Sequence, residues 1–366
     1  MSQDTDVTAP TVDLAFFRRL FDLHEDESPR AVVEAAGRIS PATRMLVVTA
    51  AVREGVIGTG SADEVRRLAE RTAFYSRLRR TAEPLGARPV KGFALAPWYP
   101  DDLPRPMNDI DLVVPDRTAL WRVVGALAAE YGPTEMDLTM FGAEGRHFLV
   151  TLSWPAADPL LDYDPRVEIF TCALTGDGGA VPLRPRLPDD PVAAGLLAVA
   201  EERFERPFNA KDLVDVMMTL TPERDVDIPR LARLADEFRL APELLELLRQ
   251  WADVDPEGAA RLDALFKDLD PAAVREVRRR EEWLSEDTGP SGPDDPRTLH
   301  YGMRLTPVAP GPRPGRAPEA AEPYGFEAGS LLLTPVADFL LVPGELVAPA
   351  LYEAALTALA DLGPRG

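Results

Sequence analysis

A chain of 366 residues with 45% hydrophobic side chains is long enough for two packed units and holds the apolar material for a real core. Its formal net charge of -21 argues against long nucleic acid as the main partner, because binding a phosphate backbone rests on Lys and Arg displacing counterions. Apolar runs such as Leu331 to Val336 stop far short of the ~20 residues of a membrane span, and a lone Cys172 with three histidines leaves no internal disulfide and little material for a zinc site.

The first residues, Met1 to Asp6, are polar and acidic, unlike the basic-then-apolar start of a secretory signal, so the expected compartment is the cytoplasm. From Val12 to about Leu85, apolar residues such as Leu14, Phe17, Leu20 and Phe21 recur at helical spacing, and Ser61-Ala62-Asp63-Glu64 opens a further helix. Gly86 and Pro89 end this helical region, residues 1–88. Residues 89–190 change to short apolar runs between turn residues. Strands are predicted at Val90 to Leu95, Ile110 to Val114, His147 to Ser153 and Arg166 to Cys172, with a helix from Arg117 to Tyr131. That order predicts an α+β fold, a small mixed β-sheet between an N-terminal and a C-terminal helical region.

Residues 191–285 read as helical again, with runs near Pro191 to Phe204, Ala210 to Leu220, Ile228 to Phe238, Pro242 to Trp251 and Pro271 to Leu284. Residues 286–328 are rich in Pro and Gly and read as a linker or loop, with at most a short strand around Met303 to Val308. Residues 329–366 complete the chain with a strand from Leu331 to Val342 and a helix from Val347 to Leu362. The pentapeptide Leu305-Thr306-Pro307-Val308-Ala309 recurs at Leu333 to Ala337, which suggests two similar edge strands, where Pro is tolerated.

Asp-x-Asp occurs six times in this acidic chain, so the motif alone selects nothing. Only Asp109-Ile110-Asp111 runs straight into an apolar strand, where alternation puts both carboxylates on one face. Two adjacent aspartates repel each other unless a cation lies between them, and hard oxygen donors point to Mg2+. Three neighbours add to the pair. Gly92, in Val90-Lys91-Gly92-Phe93, offers bare backbone for the close approach of a phosphate. Arg105, four residues before Asp109 and stiffened by Pro104 and Pro106, carries a guanidinium suited to a triphosphate. Glu168 lies within the strand Val167-Glu168-Ile169, a costly place for a charge without a partner. Trp98 and Tyr99 read as base-stacking or loop-anchoring aromatics.

Lys91-Gly92, Tyr99-Pro100, Arg105 and Asn108-Asp109-Ile110-Asp111-Leu112-Val113-Val114 together resemble the uncharacterised nucleotidyltransferase family of the DNA polymerase β-like superfamily. The likeness is carried by Pro89 to Pro115 and extends more weakly to Lys211-Asp212-Leu213-Val214-Asp215, which is similar to a second acidic motif of that family. Phe93 departs from the Gly or Ser usual in the wider superfamily, and the spacer to Asp109 is slightly long. The resemblance implies a Mg2+-dependent transfer of a nucleoside monophosphate from an NTP, with Asp109, Asp111 and Glu168 as metal-binding and catalytic carboxylates. Lys91, Gly92, Phe93 and Arg105 would bind phosphate, and Asp212 and Asp215, on one face of a helix, would join the cofactor site. The acceptor would be a small molecule or a peptide. Two alternatives stay open: a nucleotidyltransferase-fold binding module without turnover, and a toxin-like transferase acting on a macromolecule.

Overall fold

The computed structural model describes residues 12–142, 147–221, 226–286, 289, 299–344 and 346–362. Most of the predicted linker up to residue 298 therefore lies outside the described residues, as do Asp4, Asp6 and Asp225 of two other Asp-x-Asp pairs. The elements run in chain order as α1 (Leu14–Leu20), α2 (Pro29–Ile39), α3 (Pro41–Arg53), α4 (Ser61–Ala82), β1 (Arg88–Val90), α5 (Gly92–Leu95), β2 (Ile110–Val113), α6 (Arg117–Tyr131), β3 (Glu135–Phe141), β4 (His147–Ser153) and β5 (Arg166–Phe170). They continue as α7 (Pro191–Glu201), α8 (Ala210–Thr219), α9 (Ile228–Glu237), α10 (Ala241–Val254), α11 (Pro256–Ala260), α12 (Asp263–Glu286), β6 (His300–Arg304), β7 (Glu322–Phe326), β8 (Gly329–Leu333), β9 (Asp338–Val342) and α13 (Pro349–Asp361). The fold is α+β, a mixed sheet with flanking helices, and the second helical region, α7 to α12, interrupts the sheet in the chain between β5 and β6.

Two compact units divide the chain, and neither is one continuous stretch. The helical unit comprises residues 1–72, 91–107 and 187–286, and the sheet unit residues 73–90, 108–186 and 287–366.

In the helical unit the starts of several helices are set locally. Ser28, Ser40 and Asp190 each accept a hydrogen bond from a backbone N–H of the first turn, and Pro29, Pro41 and Pro191 follow them directly, where a missing N–H costs nothing. Asn209 and Asp212 form a reciprocal capping box at the start of α8. The apolar faces of α7, α8, α10 and α12 converge on Leu196, Val214, Leu244, Leu248, Trp251 and Leu265, all at most 1% exposed.

In the sheet unit nine strands lie in the order β1-β2-β5-β4-β3-β6-β9-β8-β7. Every neighbouring pair is antiparallel except β2 and β5, which run parallel. Ile110 and Leu112 of β2, Val167 and Ile169 of β5, and Val150 and Leu152 of β4 are buried, and their strand neighbours are not. α6 packs on β4 through a buried face that includes Leu120, Trp121 and Val124, with Trp121 edge-on to Phe148. A smaller core forms where α13 covers Leu331, Leu333, Leu340 and Val342.

Five expectations about elements need correction. The predicted strand from Val90 to Leu95 ends at Val90, and Gly92 to Leu95 form a helical turn instead. A run this short carries no period that separates strand from helix. β3 was not anticipated, although Glu135 to Leu138 alternates exposed and buried. The single strand expected from Leu331 to Val342 is a hairpin, β8 and β9, whose corner is fixed by Thr334. Its hydroxyl accepts from the Val336 and Ala337 N–H groups and donates to the Ala337 carbonyl. The two pentapeptides are therefore not edge strands. The second is this corner, and the first runs beside it, with the Leu305 and Ala309 N–H groups donating to the Asp338 and Val336 carbonyls. The stretch read as a linker also contributes β7 and the displaced strand β6.

Candidate functional site

The nine candidate residues fall into two groups, one in each unit. Asp109, Asp111 and Glu168 belong to the sheet unit; Lys91, Gly92, Phe93, Arg105, Asp212 and Asp215 belong to the helical unit.

In the sheet unit, the parallel pairing of β2 with β5 sets Asp111 directly beside Glu168. Because Ile110, Leu112, Val167 and Ile169 point into the core, strand alternation turns both carboxylates to the opposite face. Asp109 precedes β2 by one residue, and the neighbouring Asn108 carbonyl is anchored by the hydroxyl of the fully buried Tyr75. Arg166 opens β5 two residues before Glu168 and so shares its face. Its Nη2 donates to Asp109 Oδ2 at 2.8 Å, and its Nε lies 3.5 Å from Glu168 Oε1. Partial burial disfavours the Arg166 charge, but the hydrogen bond to Asp109 and the fields of Asp109, Glu168 and Asp111 outweigh it and raise its pKa.

These donors suit a hard divalent cation in kind, since all are carboxylate oxygens. Among the described residues, however, no three acidic, His or Cys side chains draw together tightly enough to hold a metal ion. The carboxylates are spread around the Arg166 guanidinium, whose side chain is 49% exposed and has solvent to move into. Asp109, Asp111 and Glu168 are thus of the right chemistry for Mg2+, and the register sets two of them, Asp111 and Glu168, side by side, with Arg166 the cation that an ion would have to replace.

In the helical unit, the short connection after β1 brings Lys91 into a sparsely populated backbone conformation, φ 53° and ψ -108°. Lys91 Nζ reaches Glu202 Oε1 at 2.5 Å, and Glu202 in turn receives Arg206 Nη2 at 3.0 Å. Burial disfavours the Glu202 charge, yet Lys91, Arg206 and Lys211 together hold its carboxyl below the ordinary carboxylate range. Arg206 also donates through Nη1 to Asp212 Oδ2 at 2.7 Å. Gly92 and Phe93 are both buried in the first turn of α5, and a Cβ on Gly92 would meet Met107 Sδ at 3.2 Å.

Arg105 is 5% exposed and commits two nitrogens to one partner: Nε to Asp215 Oδ1 at 2.6 Å and Nη2 to Asp215 Oδ2 at 2.7 Å. The Tyr99 hydroxyl donates to the same Oδ1 at 2.7 Å, and Lys211 Nζ lies 3.4 Å from Oδ2. Burial works against the Asp215 charge, but Arg105 and Lys211 overcome it and lower the pKa from 3.8 to about 2. Burial beside that carboxylate pushes the Tyr99 hydroxyl well above its usual pKa, so it remains a donor. Asp212 and Asp215 are fully buried, and neither presents a carboxylate to solvent.

Three charged participants escaped sequence reasoning. Arg166 was within reach of it, because two-residue spacing from Glu168 already places both on one strand face. Glu202 and Arg206 gave no local signal, since their partners Lys91 and Asp212 are recognisable only after folding. No protein-family model, curated protein or solved structure matches the chain.

Proposed function

We propose that the protein transfers a nucleoside monophosphate from a Mg2+-bound NTP to a small-molecule or peptide acceptor, using Asp109, Asp111 and Glu168. The reading rests chiefly on the parallel β2–β5 register, which places Asp111 and Glu168 side by side on one face with Asp109 one strand step away. The resemblance of Lys91 to Val114 to a nucleotidyltransferase signature adds to it. Bound Mg2+ would neutralise the phosphate charge that builds up as pyrophosphate departs. Glu168 would take the proton of the acceptor hydroxyl as its oxygen bonds to the α-phosphorus and the bond to the β-phosphate oxygen breaks. The cytoplasm is the compartment this reading suits. Among the described residues no helix is long and apolar enough to cross a membrane.

A second reading, a binding module on the same scaffold, is favoured by Arg166 lying across Asp109 and by Arg105 being taken up by Asp215. Titrating the protein with each NTP in Mg2+ tests both. Saturable binding lost in Asp111→Ala, together with acceptor-dependent pyrophosphate release lost in Glu168→Ala, is the expected result. Unchanged NTP binding in Asp111→Ala would overturn the site, and binding without release across a panel of acceptors would favour the module.

A further inference from the structure

A groove of about 640 Å3 opens between α10 and α12, within the helical unit. α12 has two apolar stripes rather than one. Leu265, Leu269 and Ala272 face the core, whereas Val274, Val277 and Leu284 are 69%, 44% and 64% exposed at helical spacing. A soluble helix that needs only one buried face has no folding use for the second stripe. Leu245 of α10 and Ala273 supply the rest of the apolar floor.

The rim of this groove is acidic. Arg249 is bound to Asp270 at 2.6 Å and Arg278 to Glu282 at 3.0 Å, so both lining arginines are already neutralised. Asp253 and Glu281, also lining the groove, form no ion pair among the described residues. An apolar floor between acidic edges is complementary to a helix with an apolar face and Lys or Arg on its flanks. A second copy of this chain would bring another -21 of net charge to an acidic rim, and an anionic lipid surface would be repelled for the same reason. We propose that the groove between α10 and α12 is a docking site for a basic amphipathic helix of a partner protein. This surface is independent of the carboxylate site and of the activity proposed for it.

The probe is a fluorescein-labelled Leu/Lys amphipathic peptide of about 18 residues, added to the full chain in about 0.15 M salt. Its controls are a shuffled peptide of the same composition and a Leu/Glu peptide with the same apolar face. The Leu/Lys helix is expected to bind saturably, about tenfold or more tighter than either control. V274S/V277S removes the exposed apolar floor at constant net charge and should cost about tenfold in affinity with an unchanged melting temperature. D253N/E281Q keeps the floor and should weaken binding by a smaller factor that shrinks as salt is added. Absence of saturable binding, equal binding of the shuffled peptide, or full affinity in V274S/V277S would overturn the proposal. So would a concentration-dependent dimer in ultracentrifugation that V274S/V277S dissolves, which would make a second copy the occupant.

Discussion

Arg105 and Asp215 pair fully buried charges through two hydrogen bonds, and such a pair is costly to break from one side. Arg105→Ala would leave Asp215 to Tyr99 and Lys211 alone, so a loss of about 3–5 kcal/mol is expected in urea unfolding. A loss below about 1 kcal/mol would mean that Lys211 takes over. The pair also gives stability a definite pH dependence. The folded pKa of Asp215, about 2, lies below its ordinary 3.8, so the unfolded chain binds its proton first as pH falls. The stabilisation, on the order of 2 kcal/mol, is complete above pH 4 and disappears as pH drops through about 2. In Arg105→Ala this acid-side loss should shrink, which unfolding curves between those pH values would show.

Arg166 stands where the proposed cation would bind, which makes it a competitor. Replacing it with Ala removes a partly exposed guanidinium from Asp109, an interaction worth up to about 1 kcal/mol. Affinity for Mn2+, measured without nucleotide as a paramagnetic stand-in for Mg2+, should therefore rise by about fivefold at most. Weaker Mn2+ binding in Arg166→Ala would show that the arginine organises the carboxylates instead of competing with the ion.

At the scale of elements, α5 and α7 approach each other closely because Gly195 has no side chain. A Cβ there would come within 2.7 Å of Leu95 Cδ2, and Leu95 is fully buried. Helix propensity alone favours Ala over Gly by about 1 kcal/mol, but overpacking a buried contact costs about 1–3 kcal/mol. Gly195→Ala should accordingly destabilise the protein, and combining it with Leu95→Ala should cost less than the sum of the two separate losses. A stabilised Gly195→Ala would mean that Leu95 moves aside freely. The start of α7 at Pro191 was readable in advance from its helical run, and Asp190 caps it there. The α5 turn was not. Val90 to Leu95 is too short for either period to show, and the change of direction at Lys91 is imposed on a residue with no intrinsic preference for positive φ.

For the molecule as a whole, the division into units could not be read as a series of consecutive segments. Residues 91–107 sit inside a stretch that reads as one strand-rich region, yet they belong with helices that begin a hundred positions later. The nine-stranded sheet likewise recruits β6 to β9 from beyond the helical region, past Pro- and Gly-rich sequence that carries little strand signal. Pairing between strands so distant is set by which apolar faces are buried together, and that is a property of the assembled core.

The sequence by itself determined the α+β class, the helical character of residues 12–85 and 191–285, and the strand that carries Asp111. Each of these follows from sterics and hydrogen bonds within a few residues. Only the tertiary structure decided that Glu168 stands beside Asp111, that Arg166 lies across Asp109, and that Arg105 is spent on Asp215, 110 positions away. With 40 basic and 61 acidic residues in the chain, charge alone leaves the partners undetermined. Burial makes the choice, because a carboxylate removed from water must take whichever cation the packed core places next to it.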